Sequence, residues 1–408
     1  MRPVSLPQVQ ASLRMTTERL AMELGAPRSA PPDWSCDDWR MARAVAAMHG
    51  IAPLLSCRLE WAGPPDWKQF LQMQYAQTRA RYARLADLAS AIDAGARAAG
   101  IALIGLKGFA LHARRLYQPG ERPMADLDLL VRPIESSETI KLIEQLGFRK
   151  TYVTWKHAVF EPLAKFPAAS FGESACNALK IELHTHLGEQ LPLYPVELGS
   201  EAFARIPRPG LNDYRSSAAL MAHLLLHAAG VMVFRELRLL HLHDIAQLAA
   251  TMKQSDWSEL VGGVAADGRL AGPMRWWAYP PLALAARYFR SIPREVLEIL
   301  ATSCPRRLRR SQSRRRLADV SFSHLWVEAF PGIEWSRTRT EALSYMAKRL
   351  IPRRETLALR ARLLSDQVGL RSSNWARTPQ VKRMLRFALS RPARPACLHN
   401  VRHVLEQP

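Results

Sequence analysis

Cysteine is sparse in this chain and forms no pattern. Cys36, Cys57, Cys176, Cys304 and Cys397 stand far apart, without the close pairs that a zinc or redox motif requires. That argues against a zinc finger or a disulfide framework, and free thiols in a reducing, cytoplasmic compartment are expected. An apolar leader is also missing: Met1-Arg2-Pro3-Val4 runs into a polar stretch, so no cleavable signal is expected. The most apolar stretch, Ser216 to Phe234, is about as long as a bilayer span. His223, His227 and Gly230 interrupt it and Arg235-Glu236 follow it directly. Polar groups are costly in lipid, so a buried helix is expected there and no transmembrane helix. Acidic residues are few, 36 against 57 lysines and arginines, for a net charge of +21. Neither a recognised nucleic-acid motif nor a regular aromatic platform accompanies that charge, so it points to an anionic partner without naming one.

The charge is uneven. Seven arginines fall between Arg306 and Arg316, and the bias continues from Lys348 to Arg394. Nucleic acid, an anionic membrane surface or an acidic partner would suit such a region. With 408 residues, 48% of them apolar, the chain has room for two or three domains and a large core.

What is present is an ordered set of polar residues beside short apolar runs. Ile101 to Ile104 predicts a buried strand over 101–105, and Phe109 to Tyr117 predicts a helix. Gly105-Leu106-Lys107-Gly108 joins them. Free N–H groups at a helix start favour phosphate, Gly108 permits close backbone approach, and Lys107 adds a point charge. The next strand, 126–131, alternates Asp126 and Asp128 with Leu127 and Leu129. Alternate strand residues share a face, so the two carboxylates project together and raise each other's pKa unless a cation compensates. Magnesium, which takes oxygen ligands and keeps positions for water and phosphate, suits such a pair. The same period recurs in Lys180 to Leu187, where Glu182, His184 and His186 share a face. Glu182 is a candidate third metal ligand or proton acceptor, with His184 and His186 as accessory candidates.

These parts resemble the nucleotidyltransferase superfamily whose catalytic fold is shared with DNA polymerase beta, and more closely its bacterial group of uncharacterised nucleotidyltransferases. The likeness rests on Leu106-Lys107-Gly108, Arg122 to Val131, Leu146-Gly147-Phe148 and Ile181 to His184. It covers roughly residues 85 to 190 and continues more weakly from His223 to Ala249. The resemblance implies an α+β fold with a mixed sheet and flanking helices. It implies two magnesium ions on the paired acids Asp126 and Asp128, with Glu182 assisting the acceptor or binding metal, and a nucleoside triphosphate held by Lys107 and Gly108. Arg122, inside the link, is a candidate phosphate contact or a loop arginine, and ATP is the first choice of nucleotide. The acceptor would be a small molecule, a peptide or a protein. Two departures stand out: Phe109 replaces the serine of many relatives, and the link from Gly108 to Asp126 is long.

Four segments follow from this reading: N-terminal helices (1–84), the nucleotidyltransferase core (85–195), a C-terminal helical domain (196–370) and a basic tail (371–408). Strands are expected near 148–154, 156–161 and 179–187, and a helix over about 135–146. Later helices are expected at 216–230, 236–251, 255–265, 281–290, 293–302, 314–329, 338–350 and 355–367. His223 and His227 stand four apart, a spacing zinc can use, but hydrogen-bonded core histidines are the commoner arrangement. Asp244 is the candidate to hold a histidine across that helix pair. Other functions stay open: a kinase-like phosphoryl transferase using the same acids, a degenerate nucleotide-binding or regulatory protein, or a basic nucleic-acid or membrane-surface binder.

Overall fold

Ser5 opens the first helix, α1 (Leu6–Gly25), in a computed structural model that describes residues 5–164, 166, 171–262, 275–352 and 379–406. The second helix, α2 (Cys36–Met48), begins where the Ser35 hydroxyl accepts from Asp38 N and donates to the Asp38 carboxylate. Such a cap is worth about 1 kcal/mol. A short α3 (Ala52–Arg58) precedes α4 (Pro65–Ala98). Pro65 suits the first turn of α4, and Gly100, at φ +69°, follows its end. The helix crosses residues 84 and 85 without interruption, so the N-terminal helices and the core share an element.

The strands are β1 (Ala102–Gly105), β2 (Asp126–Val131), β3 (Phe148–Val153), β4 (His157–Pro162) and β5 (Lys180–His184), then β6 (Gly188–Leu191), β7 (Tyr194–Glu197) and β8 (Gly210–Asn212). Six form a mixed sheet in the order β3-β4-β5-β2-β1-β8, and β6 pairs with β7 alone. The central pair, β2 and β5, is parallel, with Asp128 opposite Glu182. Two helices lie within this region, α5 (Gly108–Ala113) and α6 (Ser136–Gln145). Leu127, Leu129, Ile181 and Leu183 are buried in one core with Leu85 and Ile92 of α4 and Ile143 of α6. Each such side chain contributes roughly 1.5–3 kcal/mol of burial. The opposite sheet face keeps the acids.

That face meets a helical layer. Its elements are α7 (Ser217–Val233), α8 (Leu239–Ala249), α9 (Gln254–Leu260), α10 (Tyr279–Tyr288), α11 (Arg294–Ser303) and α12 (Arg306–Arg314), followed by α13 (Leu317–Val320), α14 (Arg339–Leu350), α15 (Gln380–Leu389) and α16 (Pro395–Glu406). Of the 17 residues of α7, 14 are buried, as expected of a helix inside a core rather than on its surface. No helix of the described residues is long and apolar enough to cross a membrane. The core of this layer joins Leu20 and Val45 near the N-terminus to Leu225, Leu242 and Leu282, and to Val401 near the C-terminus. The expected basic tail therefore includes two helices, one of them packed.

Several expectations need correction. The helix expected over 109–117 stops at Ala113, and Arg115 takes φ 59°. Strands β6 and β7 follow the last expected strand without having been expected, and β8 lies inside the segment expected to be helical. The helix expected over 314–329 is absent as such: α12 ends at Arg314, and Asp319 caps a new short helix by accepting from Arg316 N at 2.9 Å. Beyond it, buried Ser323 is fixed by Thr17 and His49. The helix expected over 355–367 lies outside the described residues.

Candidate active site

The first strand pair brings the turn and the acids together. Leu106 N donates to Asp128 O at 2.9 Å, tying the Gly105–Gly108 turn to β2. Lys107 then takes φ 47° and ψ −116°, a region that side chains rarely adopt and that carries a strain of about 1–3 kcal/mol. Its ammonium reaches Asp128 Oδ1 at 2.9 Å. Phe109 packs on Gly105, where a Cβ would overlap its ring.

Asp126, Asp128 and Glu182 line one cleft, Asp128 and Glu182 directly opposite each other on paired strands. Their environments differ. Burial, then Asp128 and Glu182, push the Asp126 carboxyl up to about 7, against the opposing pull of Lys107 and Arg238. Burial also works against ionisation of Asp128, but Lys107 and His184 outweigh it and hold that carboxyl well below the usual range. Glu182 is lowered too, its burial outweighed chiefly by His184. His184 Nε2 stands 3.0 Å from Asp128 Oδ1 and 3.5 Å from Glu182 Oε2. His186 lies beyond the end of β5, exposed, with Nδ1 against the Thr185 hydroxyl. A residue not singled out in the sequence, His157, places Nδ1 3.7 Å from Glu182 Oε2. Burial above all lowers its pKa to about 4. Only the β4–β5 register, which sets His157 opposite His184, brings it here.

The cavity in front of these acids holds about 330 Å³, and α7 and α8 contribute its far wall with Leu224, His227, Val231, Leu240 and His241. Three groups missed in the sequence reading also line it: Lys156, Glu236 and Arg238. Lys156 and His227 both contact Glu189 Oε1, at 2.9 and 3.1 Å. The Arg238 guanidinium lies over the Phe322 ring at 5.2 Å, and no carboxylate among the described residues pairs with it. Burial first holds His227 and His241 below the ordinary imidazole value. His223 turns away and bonds the Tyr214 hydroxyl at 2.6 Å, so the two helical histidines have separate partners.

Arg122 reaches the cavity already engaged. Its Nε and Nη2 donate to the two Asp244 oxygens at 2.8 and 2.7 Å, a bidentate and buried pair. Tyr117 donates to the same carboxylate at 2.8 Å, so Asp244 holds an arginine and a tyrosine, whereas His243 contacts the Tyr117 hydroxyl. Gly108 lies flat on this pair, and a Cβ there would overlap the Arg122 guanidinium. The glycine thus admits Arg122 to the floor of the turn.

The oxygen donors fit a hard divalent cation. The Asp126 carboxylate has neither a hydrogen bond nor an ion pair with any described residue, and burial with the acidic neighbours Asp128 and Glu182 opposes its ionisation. A cation at this place would relieve that repulsion, and carboxylate oxygens are its preferred ligands.

No curated protein and no solved structure matches the chain. A family model described as "Uncharacterised nucleotidyltransferase" matches residues 35–270. That range takes in β2, β5, the Lys107 turn, α7 and α8, so it holds both walls of the cleft. With more than half its length matched, the chain belongs to the uncharacterised nucleotidyltransferase family.

Proposed function

We propose that this cleft transfers a nucleoside monophosphate from a nucleoside triphosphate, ATP first among them, to an acceptor hydroxyl or phosphate. The observation that carries the reading is the convergence of Asp126, Asp128 and Glu182 on a cavity floored by the strained Lys107 turn. Asp126 and Asp128 would hold magnesium, with Glu182 completing the set or accepting the acceptor proton. Bound magnesium would supply Lewis-acid polarisation of the α-phosphate and charge neutralisation of pyrophosphate. The acceptor oxygen–phosphorus bond forms as the bond between the α-phosphorus and the bridging oxygen breaks, and pyrophosphate leaves.

Lys107 orients Asp128 and lends positive charge to the phosphate end of the cavity. Arg238, free of any carboxylate among the described residues, is the better candidate for a direct phosphate contact. The Arg122–Asp244 pair acts as a strut beneath Gly108. A small-molecule, peptide or protein acceptor would enter beside α7 and α8. A bacterial, cytoplasmic protein is the expectation under this reading.

The test uses purified protein, magnesium and α-labelled ATP, GTP, CTP and UTP, with cell extract as the acceptor source. Label should move to an acceptor with the native chain and not with the Asp126→Ala/Asp128→Ala double variant. Equal transfer by that variant would overturn the assignment. Movement of γ-label instead would identify a phosphoryl transferase.

A further inference from the structure

Behind the acids of the cleft stand two imidazoles that the magnesium reading does not use. His157 and His184 face each other across the β4–β5 ladder, with ring centroids 4.8 Å apart. Glu182 lies two residues before His184 on the same strand. Its Oε2 stands 3.7 Å from His157 Nδ1 and 3.5 Å from His184 Nε2. All three ligand atoms lie within 4.8 Å of one another. Zinc–nitrogen bonds of about 2.0–2.1 Å separate tetrahedral ligand atoms by about 3.3 Å, so small side-chain adjustments close the set.

A second observation points to a ligand. The His157 side chain is only 10% exposed, and its Nδ1 is buried with no hydrogen-bond partner. A buried polar nitrogen without a partner is unfavourable, and this one is directed at Glu182. All three residues stand on β4 and β5, so the sheet orders the donors before any ion arrives.

We propose that His157 Nδ1, Glu182 Oε2 and His184 Nε2 bind a borderline divalent transition-metal ion of the zinc class, next to Asp128, whose Oδ1 lies 3.0 Å from His184 Nε2, with Glu182 as the carboxylate this site shares with the magnesium set. Two imidazoles and one carboxylate are a donor set that zinc takes in catalytic sites, where its remaining position stays open to water or substrate. Imidazole suits zinc and its transition-metal neighbours, whereas carboxylate and water suit magnesium. This goes beyond the proposed reaction and stands whether or not nucleotide transfer is the activity.

Full-length protein stripped with a chelator is titrated with Zn2+ by calorimetry under excess Mg2+, and bound zinc is counted by elemental analysis after dialysis. One ion per chain is expected, unaffected by the Mg2+ background. His157→Ala and, separately, His184→Ala should weaken binding by about tenfold or more, while Asp126→Asn keeps it. His157→Gln, with thermal melts for every variant, guards against simple misfolding. Failure of the native chain to bind zinc overturns the proposal, as does unchanged binding in folded histidine variants. Loss of binding in Asp126→Asn also overturns it, by placing the ion among the aspartates. Failure of nucleotide transfer in the labelled assay leaves the zinc result standing, so the two readings fail separately.

Discussion

Asp126 shows how one side chain couples the site to stability. Its folded pKa lies near 7, against an ordinary value of 3.8. Between those values the folded chain keeps a proton that the unfolded chain releases, so stability falls as pH rises from about 4 to about 7. Without divalent ions, Asp126→Asn should therefore gain about 1–3 kcal/mol at pH 8. The gain should vanish near pH 4 and below. Denaturant melts at the two pH values measure it, and a loss of stability at pH 8 would sink the idea. Such a gain alongside lost transfer is the trade expected of a site held for function. This acid was legible in the sequence because strand alternation put it beside Asp128. His157 was not, because its place depends on strand register, which is a non-local property. The fate of Arg122 was hidden for the same reason: its partner Asp244 lies far along the chain.

At the scale of elements, β8 is the instructive case. It has three residues, too few for a periodic signal, and follows Pro207 and Pro209, which read only as a break. Its pairing beside β1 depends on Asp93 of α4, which accepts from Leu211 N at 2.7 Å, and on Asn212, which donates to Leu103 O at 3.1 Å. Gly210 has φ +100°, and a Cβ there would press on Asp93 and Arg97. Gly147 offers a control, since it has φ +86° but open space around its Cβ position. Gly210→Ala should destabilise by about 1–3 kcal/mol, and more than Gly147→Ala, by urea midpoint. Equal losses would mean that backbone conformation alone matters and that the Asp93 contact contributes nothing. The legible elements were those with a strong local signal: α7 through its long apolar run and β2 through its strict alternation. The break after Arg314 was not, because it is set by Asp319 capping Arg316 and by distant partners of Ser323.

Charge and core organise the whole molecule. On α12 the buried residues are Leu308 and Gln312, and Arg306, Arg307, Arg310 and Arg314 line one surface depression. Replacing these four with Gln should lower the salt needed to elute the protein from heparin, because each removes a contact for a polyanion. Unchanged elution would clear this helix of any role in anion binding. Packing joins the two ends of the chain more firmly than the expected domain limits suggest. Cys397, Val401 and Val404 of α16 are buried, and α16 packs against α2. Arg394 Nη1 donates to Arg235 O at 2.8 Å, just after α7. Ending the chain at residue 390 would therefore uncover apolar surface on α2 and remove a brace beside the cleft, although it cuts nothing within residues 35–270. Three buried apolar side chains at roughly 1.5–3 kcal/mol each, reduced by relaxation of the exposed surface, predict a melting temperature lower by roughly 3–6 °C in a chain of 408 residues. Calorimetry on the shortened chain checks this. An unchanged melting temperature would mean that α16 rests on a core that is complete without it, whereas the expected drop makes both ends of the chain part of one folding unit around the cleft.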